Sequence, residues 1–361
     1  MKVLITPFIS HPRSDASYYI AQNIATTLTL AGHICAISSE KENRFHHASH
    51  YPCANKKPSL FQFKWESRTY EEWMKDHGAL EESYLEEDLN CILNAISHFQ
   101  PDMILTMNRI SAVVAARLTK TPIDAIVTSS MYKTTTIPSS LLKSCNSFLR
   151  NHKLEQILCL KDLYQSCRHR FLFGPIELQP APTNTTIHRL GCTSVFPYRK
   201  GLTNRVCIFL GDYHKSKTAL RKVLTDAFLG APYAVYVWYP TCKPEVIQNV
   251  HFMSFPREDM IAGSICMIHD GNDYYINQCL VRAIPQVIIA SHEYGRSYNG
   301  RAIQRNMVGK YLYEEDLKMN TLYETFREVL SNDDYYDANQ LLKKKTTAYG
   351  DLHQMIRLWE Q

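Results

Sequence analysis

Short apolar runs alternate with helix-period segments along almost the whole chain. Lys2 to Phe8 reads as a buried strand, and Ile9 to Asp15 as a loop. Ala16 to Ala31 follows as a helix, with Ile20, Ile24 and Leu28 on one face and Gly32 as its C-cap. Ile34 to Ser38 is the next strand. Ser83 to Phe99 carries Leu85, Leu89, Ile92, Ile96 and Phe99 on one face, which predicts an amphipathic helix. Met103 to Met107 is a strand, Ile110 to Leu118 a helix, and another strand starts after Pro122. Such βα alternation predicts parallel sheets covered by helices.

The texture changes near Phe173, where F-G-P-I-E-L-Q-P-A-P-T-N-T-T has three prolines and little periodicity. A second series then begins: strand Val206 to Leu210, helix Lys217 to Leu229, strand Ala234 to Trp238. Phe255 to Val308 continues it as helix, strand, turn, helix, strand and helix. The fold class predicted is α/β, with two Rossmann-like, doubly wound parallel-sheet domains and a cleft between them. The expected boundaries are 1–178 for the first domain, 179–200 for a linker, 201–345 for the second domain, and 346–361 for a C-terminal helix packing back on the first. Residues 44–80 are less regular and rich in aromatics.

At 361 residues, 45% hydrophobic and 21% charged, the chain suits two globular domains. Its apolar runs are strand-length, far below the ~20 residues of a spanning helix. The start, M-K-V-L-I-T-P-F, reads as a strand rather than a signal peptide. Eleven cysteines without C-x-x-C pairs suit reduced thiols and a cytoplasmic location. The net charge of +5 is mild, and no basic stripe interleaved with aromatics points to nucleic acid. Lys343, Lys344 and Lys345 read as a solvated helix face, or as a peripheral contact with anionic lipid. His46, His47, His50 and Cys53 match no zinc spacing.

Four segments resemble the UDP-glycosyltransferase superfamily, in a divergent form. Leu30-Ala31-Gly32-His33-Ile34 looks like its R-G-H-x-V. Gln100-Pro101-Asp102-Met103-Ile104-Leu105 looks like its P-D-x-V-V strand, and Phe173-Gly174-Pro175 like the G-P that ends its N-terminal half. Phe255-Pro256-Arg257 through Pro285, then Tyr298-Asn299-Gly300-Arg301, looks like its V-P-Q…H-G-G…G-V-P…Q-x-x-N-A block. The resemblance implies the GT-B fold. It also implies a hexosyltransferase-type enzyme taking a UDP- or dTDP-sugar donor and a small-molecule or lipid acceptor. Transfer would proceed with inversion, without a metal or other cofactor.

Carried over residue by residue, the resemblance puts the phosphate-binding H-G-G on Asp270-Gly271-Asn272, with His269 one position early. The backbone of Gly271, Asn272 and Asp273 at a helix start would hold the diphosphate, with His269 as a further donor. Arg257 falls where the family stacks a residue on the base. Glu293, Arg296 and Asn299 fall in the loop that contacts the sugar. The acceptor base would be His11 or Asp15, in the loop after the first strand; Asp15 also reads as a helix N-cap. The family's partner acid falls on Met107, next to Asn108. The aromatics Phe61, Phe63, Trp65, Tyr70 and Trp73 pack the core or line an acceptor pocket. Asp270 is the departure with the largest consequence. At ~4 Å from a phosphate, its carboxylate costs on the order of several kcal/mol at an effective dielectric near 20. That departure leaves two other readings open: a non-catalytic relative that binds a partner, or a sugar-nucleotide epimerase.

Overall fold

A computed structural model describes residues 1–361 except 11–14, 41–44, 57–66, 133–135, 183–185 and 194–202, and except the side chain of Glu258. The chain divides into two units. The first comprises Met1–Phe173, Gln179–Val195 and Asp351–Gln361; the second comprises Gly174–Leu178 and Phe196–Gly350.

The first unit holds a seven-stranded, all-parallel sheet. Its strands are β1 (Lys2–Pro7), β2 (Ile34–Ser39), β3 (Ser49–Pro52), β4 (Met103–Met107), β5 (Ile123–Ile126), β6 (Arg170–Phe173) and β7 (Ile187–Leu190). They lie in the order β3-β2-β1-β4-β5-β6-β7. Helices α1 (Ala16–Leu30), α2 (Tyr70–Asp76), α3 (Glu82–Phe99), α4 (Ile110–Thr119), α5 (Lys143–Asn151) and α6 (Lys161–Tyr164) connect them. The apolar runs of β1 and β4 are buried on both faces, as a parallel sheet covered by helices requires. The residues after Gln179 supply β7, which pairs with β6.

The second unit repeats the plan with β8 (Arg205–Phe209), β9 (Ala234–Trp238), β10 (Glu245–Ile247), β11 (Val250–Phe252), β12 (Ser264–His269), β13 (Gln286–Ala290) and β14 (Gly309–Tyr313). The order is β10-β11-β9-β8-β12-β13-β14, and only the edge strand β10 is antiparallel. Helices α7 (Lys217–Phe228), α8 (Asp273–Leu280), α9 (Tyr294–Arg305), α10 (Met319–Ser331) and α11 (Asp333–Ala348) cover it. Alternation along β13 divides its side chains between two layers. Val287 and Ile289 join Leu220, Leu224 and Phe326 from α7 and α10. Ile288 and Ala290 join Ile276, Leu280, Ile303 and Leu342 from α8, α9 and α11. The last helix, α12 (Leu352–Trp359), belongs to the first unit, where the Trp359 indole donates to Asp124 at 2.7 Å.

Strand order reverses between β1 and β4 in one sheet and between β8 and β12 in the other. Doubly wound sheets bind ligands at these points, beyond the carboxyl ends of the strands. All eleven cysteines are unpaired. No helix among the described residues is long and apolar enough to cross a membrane.

Candidate functional site

In the second unit, β8 ends into Leu210-Gly211-Asp212 and β12 into Asp270-Gly271-Asn272, so the reversal brings two acids together. The Asp212 backbone amide donates to the Asp270 carboxylate at 3.0 Å. Asp270 is 1% exposed. A buried carboxylate needs compensation, and Arg296 in the first turn of α9 provides it. Arg296 Nη1 lies 2.7 Å from Asp270 Oδ1 and also donates to the Asp270 carbonyl. Arg296 Nε lies 2.7 Å from Asp212 Oδ2 and 3.4 Å from Glu293 Oε2. Burial pushes the Asp270 carboxyl up, and the guanidinium opposes that shift.

The turn expected to hold phosphate spends much of its polarity internally. Gly271 N–H donates to His269 Nδ1 at 3.2 Å, and Asn272 N–H to Asp270 Oδ1 at 3.2 Å. The Asn272 side chain caps α8 by accepting from the Tyr274 amide at 2.8 Å. Gly271 has a φ of +79°, which glycine tolerates without strain. Asn299 ties α9 to the turn, donating to the Gly271 carbonyl at 2.9 Å and to Asp273 Oδ1 at 3.0 Å.

His269 is fully buried, with Nε2 2.9 Å from Gln286 Oε1. Since Nδ1 accepts from Gly271, Nε2 carries the proton. Burial pushes the ring down to about 4, so it is neutral at pH 7. The ring therefore organises the turn from within the sheet, where sequence suggested a donor to a ligand. Tyr274 and Tyr275 are also fully buried, which accounts for two departures from the family pattern as core packing.

Three further groups line this rim. His214 follows Asp212, with Nε2 3.6 Å from Asp212 Oδ1. Glu314, just after β14, is 3% exposed and accepts from the His214 amide at 3.1 Å; burial pushes its carboxyl up. Lys217, at the start of α7, is lowered by desolvation and lies within the field of Glu314, Asp212 and Asp270. Asp212, His214 and Glu293 form a group whose ligand atoms lie within 4.8 Å of one another. Sequence reading passed over Asp212 and His214, although an apolar strand ending in Gly-Asp was a usable signal. Arg257 stands outside this cluster: exposed, it pairs with Asp259 at 2.7 Å.

In the first unit, His11, Phe61, Phe63 and Trp65 lie outside the described residues. Asp15 caps α1, accepting from Ser17 N at 2.7 Å through one oxygen and from Ser10 N at 2.7 Å through the other. Ser10 Oγ donates to that second oxygen as well. Its carboxylate therefore ties Ser10 to the start of α1. At β4, Met107 is followed by Asn108 and then the fully buried Arg109. Arg109 donates to the carbonyls of Pro7 and Ser38 at 2.9 and 3.0 Å and pairs with Asp88. It thereby clamps the carboxyl ends of β1 and β2. Tyr70 donates to Asn108 Oδ1 at 3.1 Å. Trp73 stacks on Tyr70 and meets Phe8 and His77 edge-on or tilted, at centroid distances of 5.7 and 4.7 Å. The described aromatics of this region thus gather at the strand reversal. His50, by contrast, bonds Ser39 at 3.0 Å.

No protein-family model matches the chain, and no curated protein sequence does. Solved structures do. The calicheamicin glycosyltransferase CalG4 is similar with a TM-score of 0.75 and 11% identity, over 99% of this chain and 97% of that one. The spinosyn rhamnosyltransferase SpnG, complexed with thymidine diphosphate, gives 0.74 and 16% identity over 100% of both. The glycotransferase of kitacinnamycin gives 0.73 and 13% over 99% and 98%. The chain has the GT-B fold. The acid-rich rim lies in the second unit, and the Trp73 cluster in the first.

Proposed function

We propose that the protein transfers a sugar from a nucleoside diphosphate sugar, of the UDP or dTDP type, to a small-molecule or lipid acceptor. The observation that carries this reading is the GT-B architecture over the entire chain, shared with solved glycosyltransferases, one of which, SpnG, is solved both with thymidine diphosphate and with spinosyn aglycone. The second unit has the matching turn at its strand reversal, with Asp270, Gly271, Asn272 and Asp273 at the head of α8. The first unit offers an aromatic shelf around Trp73, suited to the apolar face of a sugar or a planar acceptor.

Transfer with inversion requires the acceptor oxygen to attack the anomeric carbon as the bond to the diphosphate breaks. The acceptor proton passes to a base, which we assign to His11; Asp15, the other candidate, is engaged as the N-cap of α1. Glu293, at the head of α9, is assigned to face the sugar, and Asn299, within α9, to support the donor turn through Gly271 and Asp273. The unpaired cysteines fit a reducing compartment such as the cytoplasm.

The test is a panel of UDP- and dTDP-sugars, with and without divalent cation, read by thermal shift and donor hydrolysis. At least one donor is expected to raise Tm and to be hydrolysed. His11→Ala is expected to lower turnover at least ~100-fold with the fold intact. Silence towards every donor would sink the proposal. It would favour a non-catalytic relative, the second reading, which rests on the turn amides already being used by His269 and Asp270.

A further inference from the structure

Asn108 stands at the strand reversal of the first sheet, immediately after β4, with a left-handed backbone of φ +57°. Asparagine tolerates that region better than most residues. The backbone therefore accounts for the residue type, but not for where its side chain is directed. That side chain is half-buried and is oriented by a chain of hydroxyls. Tyr164 is 1% exposed, and its hydroxyl lies 3.3 Å from that of Tyr70. A buried hydroxyl left without an acceptor is costly, and the Tyr70 oxygen is the acceptor the described residues give it. Tyr70 in turn donates to Asn108 Oδ1 at 3.1 Å. The carbonyl end of the amide is thereby engaged, and the Nδ2 end faces away from Tyr70. Among the described residues no group accepts from Nδ2.

The frame behind this amide is fixed from two sides. Tyr70 opens α2 directly after the Thr69–Glu72 capping box, and Glu71 fastens that helix by accepting from the Leu160 amide at 2.9 Å. Arg109, the next residue after Asn108, clamps the carbonyls of Pro7 and Ser38. Beside the amide, the half-buried Trp73 stacks on Tyr70, with centroids 6.1 Å apart and ring planes 16° apart. A partly open aromatic face next to one held amide donor suits a flat molecule that carries an oxygen at its edge.

We propose that Asn108 orients the acceptor, its Nδ2 donating to the hydroxyl oxygen of a planar alcohol that lies on Trp73. This rests on the transfer reading above and deepens its acceptor side. It moves the polar role at the end of β4 from position 107, where the resemblance puts an acid and this chain has Met107, to Asn108. The change of chemistry matters. A carboxylate would accept the hydroxyl proton, whereas an amide donor holds the oxygen and leaves the proton to the base.

Binding of 5-hydroxyindole to the whole protein without donor, measured by isothermal titration calorimetry, tests the site. Indole is the same ring without the oxygen, and 5-methoxyindole has an oxygen that accepts but cannot donate. Asn108→Gly keeps the left-handed backbone without strain and removes Nδ2. It should weaken 5-hydroxyindole and 5-methoxyindole about fivefold, the worth of one hydrogen bond. Indole should bind the wild type and Asn108→Gly equally, which also certifies the fold of the variant. Trp73→Leu should weaken all three. Absence of 5-hydroxyindole binding in the wild type, or an equal loss for indole and 5-hydroxyindole in Asn108→Gly, would overturn the proposal. A loss confined to 5-hydroxyindole would overturn the direction of the hydrogen bond. The expected pattern without transfer from any UDP- or dTDP-sugar would uphold the Asn108 site and sink the transfer reading. Transfer combined with binding indifferent to residue 108 would do the reverse.

Discussion

Asp270 illustrates how one residue's environment is assembled from distant parts of the chain. Its carboxylate is held by Arg296 from α9 and by the Asp212 amide from the β8 loop. Breaking a buried pair by removing one partner is worse than removing both. Arg296→Met should therefore destabilise the fold by about 3–5 kcal/mol in urea unfolding, and Asp270→Asn in the same chain should recover part of that loss. His269 has an acid limb of its own. Its folded-state pKa lies below the unfolded value, so its contribution is complete above ~6.5 and is lost as pH falls through that value towards about 4. The gap corresponds to roughly 3 kcal/mol. His269→Gln should lower stability at pH 7 yet flatten the decline between pH 6.5 and 4, as measured by chemical denaturation across pH. Residue type made these side chains candidates in the sequence. Burial decided their surroundings: His269 turned inward, and Asp212, which the sequence reading passed over, emerged as a partner of Arg296.

Among the elements, the legible ones were those with a strong periodic signal. The apolar runs of β1, β4, β8, β12 and β13, and the apolar faces of α1 and α3, mark themselves. The strands that escaped notice are edge or near-edge pieces. β3 is Ser-His-Tyr-Pro and β7 is Ile-His-Arg-Leu, each largely half-buried or exposed. Edge strands are short and polar because they must discourage further pairing, and that removes the signal used to find them. α2 was hidden by irregular flanks, although Thr69 and Glu72 form a complete capping box. One glycine is decisive at this scale. A Cβ on Gly309 would overlap the Gln286 carbonyl where β14 pairs with β13. Gly309→Ala should cost about 3 kcal/mol and reduce hydrogen-exchange protection along β13 and β14.

At the scale of the whole molecule, the chain crosses between its two units more than once. Residues 351–361 return to the first unit, where α12 buries Leu352, Met355 and Ile356 and Trp359 reaches Asp124. Truncation after Gly350 should therefore expose amides of β5, β6 and β7 to hydrogen exchange, while β8, β12 and β13 keep their protection. Uniform loss across both sheets would contradict that assignment.

The sequence by itself determined the alternation of strands and helices, the presence of two α/β series, and the resemblance that places a phosphate-type turn at Asp270. Those properties are local: periodicity, caps and spacing act within a few turns of chain. Only tertiary structure decided which strand ends adjoin. The reversal that sets β8 beside β12 joins Asp212 to Asp270, and α9 then delivers Arg296 between them. Strand order is set by crossovers packing on the faces of the sheet, and no local pattern encodes it. The character of the rim, acidic, buried and held by one arginine, is therefore a property of the folded sheet.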